Sequence, residues 1–339
     1  MTVLRSRRML SRRHLIGTAS AAALMGSMSG RVFAQEGTPV ADGDWTFTDD
    51  KGVTVTLPAQ PTSVIMDVNA AAPLWDFGIR PTGLFGWNVL ADGSFGDAGG
   101  NIDPEGISVV GDVNERFRLE DAIALDPDLI ITLTWEATDP DEYWSLDAEI
   151  VDQVRAIAPL VALSASGMAD LNTERFAELA GLLGADLASP ELAAAKEAYA
   201  ASEEAFIRLA AEKSDLTALF VGITDETTWV ANPADWADLN MYQDRGMNIV
   251  VPDVEPGSFW QQISHEQALL YPADMMFQST RAEGLTMEEV TNHPSWSHHP
   301  AVQAGQLYGW NQDFIQSYQG MKVALDGLSD ALERSSKIL

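Results

Sequence analysis

The chain has 339 residues, with 50 acidic against 20 basic side chains, a formal net charge of −30 and no cysteine. So acidic a surface repels nucleic acid and anionic lipid. The missing cysteines exclude disulfides, thiolate metal sites, cysteine catalysis and a lipid-modified N-terminal cysteine.

Residues 1–34 read as an export leader. Arg5, Arg7 and Arg8 are followed by Ser11-Arg12-Arg13-His14-Leu15-Ile16, a mildly apolar stretch to Met28, and Val32-Phe33-Ala34 as a cleavage site. The paired arginines ahead of Leu15 and Ile16 point to the Tat route. The alternative, a membrane anchor, needs about 20 apolar residues, more than this stretch holds. Taking the six leader arginines from the twenty basic residues leaves fourteen against fifty acids, a net charge of −36. Residues 35–44 carry Gly, Pro, Asp and Thr without periodicity and predict a flexible tether. The mature chain is expected to be a soluble monomer in the periplasm or outside the cell, without membrane insertion. About three hundred residues suffice for two domains of ordinary size.

Beyond the tether, short β-branched runs alternate with helical patterns. Strands are predicted at 53–57, 63–66, 82–85, 107–110, 129–133 and 161–163, and a second set at 216–223, 228–231, 249–251, 274–277 and 306–310. Helical patterns cover 70–77, 119–125, 148–157 and 173–183. This alternation predicts an α/β fold with mostly parallel sheets. One segment differs. Residues 189–213 are alanine-rich, open on Ser189 as an N-cap and Pro190 in the first turn, and contain no later Gly or Pro. Such a helix runs roughly 35 Å. It reads as a rigid connector between an N-terminal lobe at 45–188 and a C-terminal lobe at 214–339; a long surface helix of one domain is the other reading.

An internal echo accompanies the two halves. Glu120-Asp121-Ala122-Ile123 leads to Asp128-Leu129-Ile130, and Glu266-Gln267-Ala268-Leu269 leads to Asp274-Met275-Met276. Each places a Glu at a helix start and, eight residues later, an Asp at a strand entrance.

An ordered set of segments resembles the periplasmic binding proteins of ABC importers for iron–siderophores, haem and cobalamin. The segments are Asp50-Lys51-Gly52-Val53-Thr54 through Pro58, Pro61–Ile65, Leu119-Glu120 through Ile131, and Glu178-Leu179-Ala180-Gly181-Leu182-Leu183-Gly184. Ile263-Ser264-His265-Glu266-Gln267-Ala268-Leu269, Pro294-Ser295-Trp296 and Pro300–Tyr308 complete the set. The resemblance implies two α/β lobes joined by one long helix, a ligand held in the cleft between them, and no enzyme activity or cofactor. It implies that Glu120 and Glu266 dock onto arginines of the two subunits of an ABC permease dimer served by its ATPase. Two departures concern the ligand: Arg118 stands where a small polar residue is frequent, and the stretch after Ile223 lacks a glycine.

No Gly-x-Ser-x-Gly elbow, phosphate loop or His-Glu-x-x-His pattern is present. A secreted enzyme on a two-lobed α/β fold is the reading from another class. His293, His298 and His299 cluster without further ligands at metal spacing and read as caps of a surface turn; no metal site is expected. Among ten tryptophans, Trp87, Trp135, Trp229, Trp236 and Trp260 fall near predicted strand ends, where open α/β sheets bind ligands. Each is a cleft wall or a core residue. Arg116 and Arg281 are candidate cleft cations, able to offer a forked hydrogen-bond pair to a chelate oxygen. Arg118 reads as a surface arginine balancing nearby acids such as Glu115 and Glu120. Few cleft arginines on so acidic a chain predict a ferric siderophore of hydroxamate or mixed-donor type rather than a trianionic tris-catecholate, with haem or cobalamin as alternatives.

Overall fold

A computed structural model describes residues 43–255 and 257–339. The leader, and the tether apart from Gly43 and Asp44, lie outside the described residues. The chain opens with a hairpin of β1 (Trp45–Thr48) and β2 (Thr54–Leu57). Its alternation puts Trp45, Phe47 and Val55 into the core, and Trp45 Nε1 donates to the Leu182 carbonyl at 2.9 Å. The predicted elements omit β1, whose four residues acquire a strand partner only through the turn back to β2.

The first sheet holds β3 (Val64–Asp67), β4 (Gly83–Phe85), β5 (Ser108–Val109), β6 (Leu129–Thr134) and β7 (Leu160–Ser164). Its order is β5-β4-β3-β6-β7, and every pairing is parallel. The crossovers carry α1 (Val68–Asp76), α2 (Leu119–Ala124) and α3 (Val151–Ile157), and α4 (Ala169–Leu182) follows β7. Both faces are covered, so strand side chains alternate between two buried layers. Val64 and Met66 pack with α1 and α4, while Ile65 packs with α2 and α3.

The long helix α5 (Pro190–Glu212) then begins where Ser189 accepts a hydrogen bond from the Leu192 amide at 3.2 Å. It leads to a second sheet of β8 (Ala218–Ile223), β9 (Thr228–Ala231), β10 (Trp260–Ile263), β11 (Met275–Ser279) and β12 (Leu307–Trp310). The order β10-β9-β8-β11-β12 repeats the first sheet place for place. Here only β8–β11 and β11–β12 are parallel; β9 pairs antiparallel with both β8 and β10. The cause is the connection. A whole helix separates β3 from β4, but β8 reaches β9 through a tight turn closed by Thr224 N to Thr227 O at 2.9 Å, and so short a link permits only a hairpin. Residues 249–251 form a single bridge, Ala218 to Ile249, rather than the predicted strand. Helices α6 (Ala237–Asp244), α7 (Met287–Asn292), α8 (Pro300–Gln303) and α9 (Tyr318–Arg334) complete the fold. Tyr318, at the start of α9, packs in the first sheet's core, while Leu325, Leu328 and Leu332 pack in the second's.

The echoed aspartates have one task in both halves. Asp128 accepts from Thr62 N at 2.8 Å and Thr62 Oγ1 at 3.0 Å, tying the entrance of β6 to that of β3. Asp274 accepts from Thr217 N at 2.8 Å and Thr217 Oγ1 at 2.9 Å, tying β11 to β8. The fold is α/β with two related sheets joined by one long helix.

Candidate ligand-binding cleft

The carboxyl ends of β4, β5 and β6 in one sheet, and of β11 and β12 in the other, run into loops that share a cavity of about 770 Å³. Its walls include Trp87, Phe95 and Trp144 from the first half and Thr280, Arg281, Glu283 and Asp313 from the second. A smaller cavity of about 250 Å³ adjoins it, reached by Trp229 and Trp260 and again by Arg281 and Glu283.

Trp87 is placed by backbone geometry. Gly86 takes φ +120°, and a Cβ there would lie 2.1 Å from Asp67 Oδ2, so only glycine turns the chain out of β4 at this point. The Trp87 amide donates to Ser145 Oγ at 3.2 Å, and Ser145 itself holds φ +64°. The indole is 43% exposed, a large apolar face left open at the cavity wall. The Arg116 guanidinium stands 5.0 Å from its centroid and is also ion-paired with Asp147.

Arg281 follows β11 directly. Its Nε and Nη2 donate to Asp313 at 2.6 and 2.5 Å, and Trp144 lies 6.0 Å from the guanidinium. Burial pulls its pKa down, and the paired carboxylate outweighs that, holding the guanidinium charged. Two polar contacts cross the cleft here, and a third braces Asn69 within the first half. Asn88 Nδ2 donates to Asn69 Oδ1 at 2.7 Å, Asn69 Nδ2 to Asp313 Oδ1 at 3.2 Å, and Thr280 Oγ1 to Asp97 Oδ2 at 2.6 Å.

The structure thus brings Trp87 and Arg281 to the main cavity and Trp229 to the adjoining one, while Arg116 stands behind Trp87 and lines neither. Trp229 and Trp260 sit within paired strands, not in loops after strand ends. Trp135 and Trp236 stand one layer below. Their rings lie 5.2 Å apart in an edge-on aromatic array with Trp144, Phe259, Trp260 and Trp310. Trp236 is 4% exposed, and its Nε1 donates to the Phe259 carbonyl. Arg118 pairs with Asp112 at 2.8 Å and Asp121 at 2.7 Å on the surface, not with Glu115 or Glu120. His299 is fully buried and caps α8, rather than decorating a surface turn, while His293 Nδ1 accepts from the Ser295 and Trp296 amides. Among the described residues no group of three or more His, Asp or Glu could hold a metal, and no helix is long and apolar enough to cross a membrane.

The site reading by sequence missed Trp144, Asp97, Glu283 and Asp313. The strand-end rule that selected the tryptophans also covers residues after β12, and so Asp313. Fifty acids offered no way to single it out.

Glu120 and Glu266 are exposed at the starts of α2 and of a short turn after β10. Gln267 closes that turn by accepting from the Ser264 amide at 3.1 Å.

No curated protein sequence matches the chain. Among solved structures, the chain is similar to DesE, a ferric-siderophore receptor protein from Streptomyces coelicolor. The identity is 29%, the TM-score 0.81, and the match covers 87% of this chain and all of DesE. The fold also resembles Staphylococcus aureus SirA complexed with staphyloferrin B, at 20% identity and TM-score 0.61 over 86% of this chain and 99% of SirA. It resembles the catecholate-siderophore binding protein VctP from Vibrio cholerae at 17% identity and TM-score 0.59, over the same shares. A model of the periplasmic binding protein family matches residues 107–314, which carry β5, β6 and β7 of the first sheet, the long helix, and the cleft residues Trp144, Arg281 and Asp313. The chain therefore belongs to the periplasmic binding protein family and is a binding protein rather than an enzyme.

Proposed function

We propose that this protein captures a ferric siderophore of the hydroxamate type in its cleft and delivers it to an ABC permease dimer driven by its ATPase. The observation that carries the reading is the cavity. Its volume of about 770 Å³ suits a bulky chelate, its first-half wall is aromatic with Trp87, Phe95 and Trp144, and its one lining guanidinium among the described residues is already paired with Asp313. A compact trianion would need several free cations there. The similarity to DesE along its whole length supports a ferric-siderophore ligand.

In this reading Trp87 and Arg281 contact the ligand from the main cavity and Trp229 from its annex, Arg116 acts from behind Trp87, and Trp135 and Trp236 support the floor. The lobes are residues 45–188 and 214–339, with 189–213 as the spine. The protein works outside the cytoplasmic membrane as a soluble monomer, reached by Tat export through Arg12-Arg13. Replacing both arginines by lysine should hold the precursor inside the cell; normal secretion would rule out that route.

Tryptophan-fluorescence titration tests the ligand. Ferric hydroxamates should quench with saturable binding. Trp87→Ala should weaken that binding about tenfold or more while melting as the parent does, because its indole is already 43% exposed. Saturable binding of haem, cobalamin or a tris-catecholate alone would overturn the ligand class.

A further inference from the structure

We infer that Asp313 is a specificity-determining residue: by occupying the fork of Arg281 it turns the cleft's only lining cation among the described residues into a neutral pair, so that the site selects uncharged or cationic ferric chelates. The inference rests on the siderophore reading and says which charge of siderophore the cleft takes.

The donors of Arg281 are already committed within the protein. A guanidinium has five N–H groups in a fixed plane, and its power as an anion receptor lies in presenting two parallel ones. In Arg281, Nε and Nη2 already hold the two oxygens of Asp313 in that manner. Gln312 takes a third position. With its amide nitrogen donating to Ser279 Oγ at 2.6 Å, its oxygen accepts from Arg281 Nη1 at 2.6 Å. The arginine side chain keeps 22% exposure, and that of Asp313 keeps 5%.

Asp313 is also held independently of any ligand. Its amide donates to Asn311 Oδ1 at 3.0 Å, and Asn69 from the first half donates to its Oδ1. The pair is thus built into the junction of the two halves. Beyond it the cavity is lined by Asp97 and Glu283, both exposed, with no other cation among the lining residues. Arg116 stands behind Trp87 and has its own carboxylate, Asp147. A ligand entering therefore meets three carboxylates against one guanidinium, beside the aromatic wall of Trp87, Phe95 and Trp144. There, like charges repel strongly and a positive or neutral chelate is favoured. Without Asp313, the same walls would surround a free guanidinium fork, a receptor for anionic oxygen.

Three iron chelates serve as probes: a ferric tris-hydroxamate bearing a pendant ammonium, a ferric tris-hydroxamate of no net charge, and a trianionic ferric tris-catecholate. Affinities are measured for the parent, Asp313→Asn and Glu283→Gln, each checked by circular dichroism and melting. The parent should bind the first two and reject the third. Asp313→Asn should raise the affinity ratio of the trianion to the neutral chelate about tenfold and lower that of the cationic one. Glu283→Gln, at an exposed position, should shift both ratios the same way by less, and it carries the test if Asp313→Asn fails to fold. Ratios that neither variant moves, in a parent that binds the hydroxamates, would overturn the role of Asp313 alone. A parent that binds none of the three chelates would instead end the siderophore reading, and this inference with it.

Discussion

Two buried carboxyls set the behaviour of single residues beneath the cleft. Asp238, in the first turn of α6, is 1% exposed; Oδ2 accepts from Trp310 Nε1 at 2.8 Å, and Oδ1 is buried without a partner. Burial pushes its pKa up to about 7, and Asp67 at the N-terminus of α1 is raised to about 7 by the same cause. The ordinary carboxyl value is 3.8. As pH rises from that value towards 7, the unfolded chain releases the proton first, and the folded state must then ionise in a dry site. The stability these groups permit is therefore complete below pH 4 and lost by the time pH has passed 7. Asp238→Asn keeps an acceptor for Trp310 and removes the ionisation. Its stability relative to the parent should rise from pH 5 to pH 8 by roughly 2–4 kcal/mol. Melting curves at both values check this, and a difference that does not change with pH would contradict it.

At the scale of elements, the two halves present matching short turns. Each begins with an exposed Glu, buries an alanine two residues on (Ala122 fully, Ala268 to 2%) and exposes a large apolar residue after it, Ile123 at 58% and Leu269 at 56%. Because α2 runs antiparallel to the parallel strands it connects, its start lies at their carboxyl ends, on the side of the cleft. One acid per half suits a two-fold permease presenting one cation per subunit. A glutamate that only complements its helix dipole contributes about 0.3–1 kcal/mol and nothing to transport. Glu120→Ala and Glu266→Ala should therefore leave ligand affinity unchanged while uptake falls, most in the double variant, and reversal to Arg should be worse. Wild-type uptake by the double variant, in cells carrying the cognate permease, would rule the docking role out.

The whole molecule is tied along two helices. Ser202 of α5 donates to Asp326 of α9 at 2.6 Å, and Tyr199 and Tyr318 pack with centroids 6.0 Å apart. Arg245, after α6, bridges Asp170 of α4 and Glu203 of α5 at 2.6 and 3.1 Å. Bending α5 would break backbone hydrogen bonds with no Pro or Gly to absorb the kink. Ligand binding should thus leave the radius of gyration from solution scattering unchanged within measurement. A clear contraction on binding would show that the two halves close like a hinge.

Local rules carried much of this far from any structure. Apolar, β-branched runs announce most of the strands, Ser189-Pro190 starts the long helix, and the Glu-to-Asp echo signals two related halves, because periodicity, capping and turn chemistry act between near neighbours. The tertiary structure decided what depends on residues far apart. The direction of β9 follows from how soon β8 turns back. Trp87 walls the cavity while Trp236 lies under it, because packing alone separates two tryptophans of equal promise. Arg281 and Asp313 are 32 residues apart, and that they meet, filling the fork that a ligand would otherwise use, follows from two neighbouring strands, β11 and β12, ending side by side.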